Sequence, residues 1–215
     1  MCYKQTTGVE KMTADEIFLN TDFQRCVDFH GHICPGLAIG YQAAKAGMAS
    51  LQKNRAEDEE LVAIVETDAC GADAIQVLTG CTFGKGNFIF RDHGKHAFTL
   101  AGRKSGRGVR IALKPGVLEI TERHRVLMDK LRQDGATEEE RKEFQELHLQ
   151  KSRFILEKSP EDFFTIKPVN LSLPPKARIE PSKLCARCGE PTMGSKLAKM
   201  EELEICRECL GEMEK

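Results

Sequence analysis

Four cysteines close the chain as two C-x2-C turns, Cys185 with Cys188 and Cys206 with Cys209, separated by seventeen residues. Nothing else in the sequence restricts its stretch of chain so tightly. Two residues between cysteines let both thiolates of a turn reach one ion, and two such turns complete a closed tetrahedron. A module of roughly thirty residues buries too little apolar surface to fold alone, so metal binding supplies the missing free energy. The pattern predicts a structural zinc site. A redox dithiol pair and a rubredoxin-like iron site are the alternatives, and the spacing favours zinc over both. From Lys176 onward eight Lys/Arg are matched by eight Glu. A duplex-binding module needs a positive excess to release counterions from phosphates, so nucleic-acid binding is unsupported. A packing or protein-contact role fits better.

Five further cysteines, Cys2, Cys26, Cys34, Cys70 and Cys81, lie in the first 81 residues. No apolar run is long enough to cross a membrane, and Met1-Cys2-Tyr3-Lys4-Gln5 lacks the apolar core of a secretory signal. The expectation is a cytoplasmic protein, where thiols stay reduced and serve metal or thiol chemistry. With 40% hydrophobic and 30% charged residues the composition is that of a globular protein, not a disordered one. Prolines at 168, 174, 175 and 181 forbid helix between the two cysteine groups and favour an extended connector. The chain therefore divides into a core over 1–166, a linker over 167–182 and a zinc-finger domain over 183–215.

In the core, apolar spacing predicts helices over Thr13–His30, from Pro35 towards Leu51, and over Ala72–Leu78. It predicts two more over Leu118–Arg132 and Thr137–Lys158. Leu61–Val65 reads as a buried strand, and Asn87–Arg91, Ala97–Ala101 and Val109–Leu113 as strands separated by glycine-rich turns. Thr137 with Glu140 three residues on forms a capping box, a sharp helix start. The fold class is α+β with at least four strands.

His30-Gly31-His32-Ile33-Cys34-Pro35 places two imidazoles and a thiol within five residues. Proline is favoured at the first helical position, which makes Cys34 the N-cap of the following helix. Its sulfur then meets the positive end of the helix dipole, which favours thiolate. Imidazole and thiolate are zinc-type ligands, and a protonated imidazole would also activate a nucleophilic cysteine. Cys70, after the Leu61–Val65 strand at the start of another helix, sits where sheets of this kind collect functional groups. The preferred core site is His32, Cys34 and Cys70, with an open position for water or ligand and His30, Asp68, Asp73 and Cys81 in reserve. Three protein ligands plus an open position is the arrangement of a catalytic metal, zinc or another transition metal.

Gly80-Cys81-Thr82-Phe83-Gly84-Lys85-Gly86-Asn87 comes near a phosphate loop and fails it. The glycine gap is one residue short, and Gly86 stands where Ser or Thr should hold magnesium. A nucleotide triphosphatase is therefore not expected, while Lys85, Asn87 and the loop's N–H groups remain a candidate anion nest. From Lys85 to Lys114 eight Lys/Arg face a single acid, Asp92, although the whole chain carries a formal charge of only −1. Such a stretch is either a solvated sheet edge or a basic wall receiving a small anionic ligand.

His30-Gly31-His32-Ile33-Cys34-Pro35-Gly36-Leu37-Ala38-Ile39-Gly40, together with the run from Asp73 through Thr79-Gly80-Cys81-Thr82-Phe83-Gly84-Lys85-Gly86-Asn87, resembles the FmdE family, named for the E component of formylmethanofuran dehydrogenase. The cysteine-bearing tail resembles the treble-clef finger that some members append. The resemblance implies a thioredoxin-like core, with a mixed five-stranded sheet flanked by helices, that forms a homodimer. It further implies a metal site where the His-x-Cys run meets the second cysteine motif. The family accompanies molybdenum or tungsten oxidoreductases that handle one-carbon units on methanofuran, an association that leaves enzymatic activity open. Three readings follow: a metal-dependent site serving that metabolism, a thiol redox protein with Cys34 as nucleophile and Cys70 or Cys81 as resolving partner, and a non-catalytic adaptor or regulator acting through its finger.

Overall fold

The structure, a computed structural model, describes residues 12–177 and 179–213. Cys2 and the N-terminal run expected to lack a signal lie outside the described residues. The chain forms two compact units, Met1–Lys176 and Ala177–Lys215.

The first unit opens with α1 (Ala14–Leu19), α2 (Thr21–His30) and α3 (Pro35–Leu51). The single helix expected over Thr13–His30 is broken at Asn20, which ends α1 in an extended conformation (φ −71°, ψ 132°). The Asn20 side chain also accepts a hydrogen bond from Asp22 N, so one residue terminates one helix and caps the next. Nine of the seventeen residues of α3 are buried. This helix is the axis of the unit, packing on helices and on sheet alike.

Strand β1 (Leu61–Val65) leads through α4 (Gly71–Thr79) to β2 (Phe88–Phe90), and then come β3 (Ala97–Gly102) and β4 (Arg107–Leu113). Helices α5 (Glu122–Arg132), α6 (Glu138–Glu157) and the short α7 (Pro160–Phe163) precede β5 (Phe164–Asn170). The five strands make one mixed sheet in the order β2-β1-β3-β4-β5. Only β1 and β2 are parallel, the pairing that needs a helical crossover, and α4 supplies it. All five residues of β1 are buried, as a near-continuous apolar run in a central strand should be.

Two boundaries differ from expectation. The helix expected from Leu118 begins only at Glu122, because the Thr121 hydroxyl accepts from His124 N and caps it there. Residues 167–170, expected as linker, belong to β5, which pairs with β4 in the register Val109 to Pro168. Proline has no N–H to give the ladder, and it is tolerated here because β5 is an edge strand.

In the second unit, β6 (Ser182–Leu184) pairs with β7 (Pro191–Met193), and β8 (Ala198–Met200) with β9 (Leu203–Ile205). Helix α8 (Arg207–Met213) follows. Knuckle, hairpin and helix succeed one another in treble-clef order. Among the described residues no helix is long and apolar enough to cross a membrane.

Candidate metal centres

In the finger the four cysteine sulfurs lie within 4.8 Å of one another. Cys185 and Cys188 sit in the turn between β6 and β7, closed by Gly189 at φ 75°, while Cys206 and Cys209 open α8. Backbone N–H groups steer the sulfurs: Cys206 N donates to Cys185 Sγ at 3.3 Å and Cys209 N to Cys206 Sγ at 3.5 Å. The N–H groups of Cys206 and Cys188 pull Cys185 down to about 6, whereas burial and the neighbouring sulfurs push Cys209 up to about 12. Four thiols this close are held apart in charge until a cation neutralises them. Arg187 ties the turn to the helix through Cys209 O at 2.7 Å and Glu212 at 3.1 Å. This donor set fits a closed tetrahedral ion such as zinc.

The core centre is built at a helix corner. Helix α2 ends on His30, and Gly31, in the left-handed region at φ 95°, turns the chain out of it. Only glycine takes that φ without strain. Three residues later Cys34 caps α3, its Sγ accepting from Leu37 N at 3.4 Å. One donor atom each from His30, His32 and Cys34 falls within 4.8 Å of the others, and Cys34 Sγ lies 3.6 Å from His30 Nε2. Asp73, in the first turn of α4, accepts from His30 Nδ1 at 2.7 Å. With that proton held by the carboxylate, Nε2 turns its lone pair toward Cys34, the tautomer a ligating imidazole needs.

Helix α4 reaches this corner because α3 presents glycines to it. A Cβ on Gly40 would stand 2.2 Å from Gly71 O, and one on Gly36 2.9 Å from Cys70 Cβ. The same Gly36 position is 3.4 Å from Cys70 Sγ and 3.9 Å from Cys34 Sγ, so the two thiols are neighbours. Burial pushes the Cys34 thiol up to about 11, and Cys70 adds to the rise, while the Leu37 N–H opposes it. Against the thiolate expected at a helix N-terminus, desolvation raises the Cys34 thiol more than the N–H groups of Leu37 and Gly36 lower it. A cation would displace the proton.

The candidate residues thus separate. His32, Cys34 and the reserve His30 share one centre, with Asp73 orienting His30. Cys70 stands beside Cys34 but outside the group of mutually close donor atoms. Asp68 is exposed. Cys81 is fully buried with its sulfur 3.4 Å from Leu61 O, a packing role. Asn87, expected as an anion ligand, is also fully buried and works as a fastener. Its Oδ1 accepts from Thr82 N, and its Nδ2 donates to Asp58 O and Leu61 O. Lys85 Nζ donates to Asp58 O at 3.4 Å. Three more of the eight basic residues between Lys85 and Lys114 are held within the fold. Arg103 pairs with Glu59, Arg110 is bidentate on Glu66 at 2.8 and 2.9 Å, and Lys114 Nζ donates to Glu161 O. Their charge is engaged in ties within the fold.

Sequence reading missed the wall facing this centre. His32 and Ile33 open onto a cavity of about 570 Å3 whose other side is α5 and α6, with Leu131, Arg141, Phe144, Gln145, His148 and Leu149. Burial, then His124 and His32, hold His148 down to about 4. The positions 141, 144, 145, 148 and 149 are a helical stripe, the one sequence signal that could have marked this face.

Residues 29–165 match the family described as "FmdE, Molybdenum formylmethanofuran dehydrogenase operon". A protein of Archaeoglobus fulgidus named "Probable S-adenosyl-L-methionine-binding protein" is 32% identical over 195 residues, covering 87% of this chain and 52% of that one. The chain thus spans about half the length of the curated relative it matches. The crystal structure of an FmdE-like protein from Syntrophus aciditrophicus, named for the tungsten formylmethanofuran dehydrogenase, superposes with a TM-score of 0.59 at 25% identity, covering 93% of this chain and 92% of the other. The family match takes in the whole corner from His30 to Cys34, the α4 segment with Cys70 and Asp73, and four of the five strands in full. This chain belongs to the FmdE family.

Proposed function

We propose that the core binds one transition-metal ion through His30, His32 and Cys34, with Cys70 as the adjacent thiol, and that the finger binds a second, structural zinc. The observation that carries this reading is the convergence of three soft donors within 4.8 Å at one helix corner, with Asp73 fixing the tautomer of one of them. Three protein ligands leave a coordination position, so a bound metal supplies a Lewis acid there. His30 and His32 stay neutral to ligate, and Asp73 keeps the His30 proton on Nδ1. The same proposal gives the protein a role in molybdenum or tungsten formylmethanofuran dehydrogenase-type one-carbon metabolism, in the cytoplasm and as a homodimer, and the family match is its support. A second reading, a dithiol couple of Cys34 and Cys70, has the nearness of the two thiols in its favour.

Metal analysis of the full chain tests the proposal. The two donor groups predict two ions per chain. Cys34→Ser and His30→Ala should each lower the count by one while the finger ion stays. Retention of both ions in Cys34→Ser would overturn the core site.

A further inference from the structure

The cavity between the metal corner and the α5–α6 hairpin has the composition of a ligand pocket, and the charge in it is unbalanced. Its volume, about 570 Å3, suits a small organic molecule. One end is lined by Ile33 and by His32, a member of the candidate metal centre. The sides are apolar or aromatic: Leu131, Leu149 and Phe144, whose ring lies 4.0 Å from that of His148 at 41°. Behind this ring pair stands His124, in contact with both rings.

Among the described residues Arg141 supplies the only lining cation. Three neighbouring carboxylates on α6 have other cations within reach: Glu138 with Lys142 at 4.0 Å, Glu140 with Lys130, and Glu143 with Arg123. Among the described residues the Arg141 guanidinium has no ion pair. Arg141 is a half-buried residue, and a guanidinium beside an apolar wall is satisfied by a planar anion that accepts two parallel hydrogen bonds. One cation and no second one balances a single negative charge, which favours a carboxylate over a phosphate dianion. The two aromatic rings beside it, inclined at 41° to each other, favour a planar apolar body that meets one by offset stacking and the other nearer its edge.

We infer that this pocket binds a small aromatic or similarly flat organic carboxylate, its anion on Arg141 and its ring against Phe144 and His148. The other end of the ligand then faces His32. The inference rests on the proposed core centre only for what lies at that end, because Arg141 and Phe144 belong to α6 and not to the metal corner.

Calorimetric titration of the full chain with 2-naphthoate, and with the uncharged 2-naphthamide, tests it. The acid should bind, and the amide at least about tenfold more weakly, as expected for losing a charge-assisted bidentate contact. Arg141→Gln should weaken the acid by a similar factor and leave the amide unchanged. The comparison of the two probes on the unaltered protein needs no variant to fold. Equal binding of acid and amide, equal binding by Arg141→Gln, or no binding of the acid at millimolar concentration would each overturn the pocket. Cys34→Ser separates the two proposals. Unchanged naphthoate binding in that variant supports the pocket whatever happens to the metal, whereas loss of binding would mean that the metal, not Arg141, holds the carboxylate.

Discussion

His30 Nδ1 donates to Asp73 Oδ2 across 2.7 Å, joining residues 43 apart in the chain. The contact fastens the last residue of α2 to the first turn of α4. An imidazole whose Nδ1 proton is claimed by a carboxylate offers Nε2 to a cation and gains basicity there. Asp73→Ala should therefore lower core metal affinity by roughly 10–100-fold. Chelator competition read on the full chain checks this, and the finger ion, ligated only by cysteines, should be unaffected.

The proposed structural ion makes folding of the second unit metal-dependent, a consequence that can be checked. Chelation, or Cys188→Ser, should make the Ala177–Lys215 unit sensitive to protease while the first unit stays resistant. Limited proteolysis with and without added zinc gives the result, and equal resistance of the finger in both would contradict a structural metal.

Gly40 is where α3 and α4 touch backbone to backbone. A methyl group there would lie 2.2 Å from Gly71 O, so Gly40→Ala should cost about 3 kcal/mol or more, because backbone rather than a flexible side chain must move. It should weaken the core metal as well, since α4 carries Asp73. Gly84→Ala, with nothing within 4 Å of the added carbon, should stay within about 0.5 kcal/mol. Urea unfolding of the two variants reads the difference.

Gln42 on α3 holds the end of α6. Its Nε2 donates toward the carbonyls of Ile155, Leu156 and Lys158, at 3.2, 2.9 and 3.3 Å, groups that a helix end leaves without partners. Gln42→Leu should destabilise the protein by about 1–3 kcal/mol, seen as a lower thermal midpoint. It should also loosen the pocket face that α6 presents to His32.

Glu66 follows β1 and is held below its ordinary value of 4.5 by Arg110, with His93 adding to the effect and burial opposing it. A carboxylate whose folded pKa is depressed contributes stability that is present above the unfolded pKa. That contribution is lost as pH falls through the folded pKa. Between about pH 5 and pH 3 the protein should therefore lose more stability than Glu66→Gln does. Denaturant midpoints across that window, compared for the two proteins, check the sign.

The sequence carries its local geometry well. The C-x2-C pairs, the proline after Cys34 and the Thr137 capping box each act within a few residues, so spacing alone places them. The run Leu61–Val65 announces a buried strand for the same reason. Residues 167–170 read as linker from the sequence because proline excludes a helix; it does not exclude an edge strand, and only the sheet order makes β5 an edge.

What the sequence determined by itself is the chemistry available: four thiols with finger spacing, and two imidazoles and a thiol at one helix corner. Tertiary structure decided which of those groups meet. Gly36 and Gly40 let α4 approach α3, and that approach sets Asp73 on His30 and Cys70 beside Cys34. It also took Asn87 and Cys81 out of reach, one as a buried fastener and one as a packed thiol, and brought Arg141 and His148 from a distant helix to face the centre. Ligand choice across such distances follows from helix packing and desolvation, which depend on every surface in contact and leave no fixed spacing in the chain.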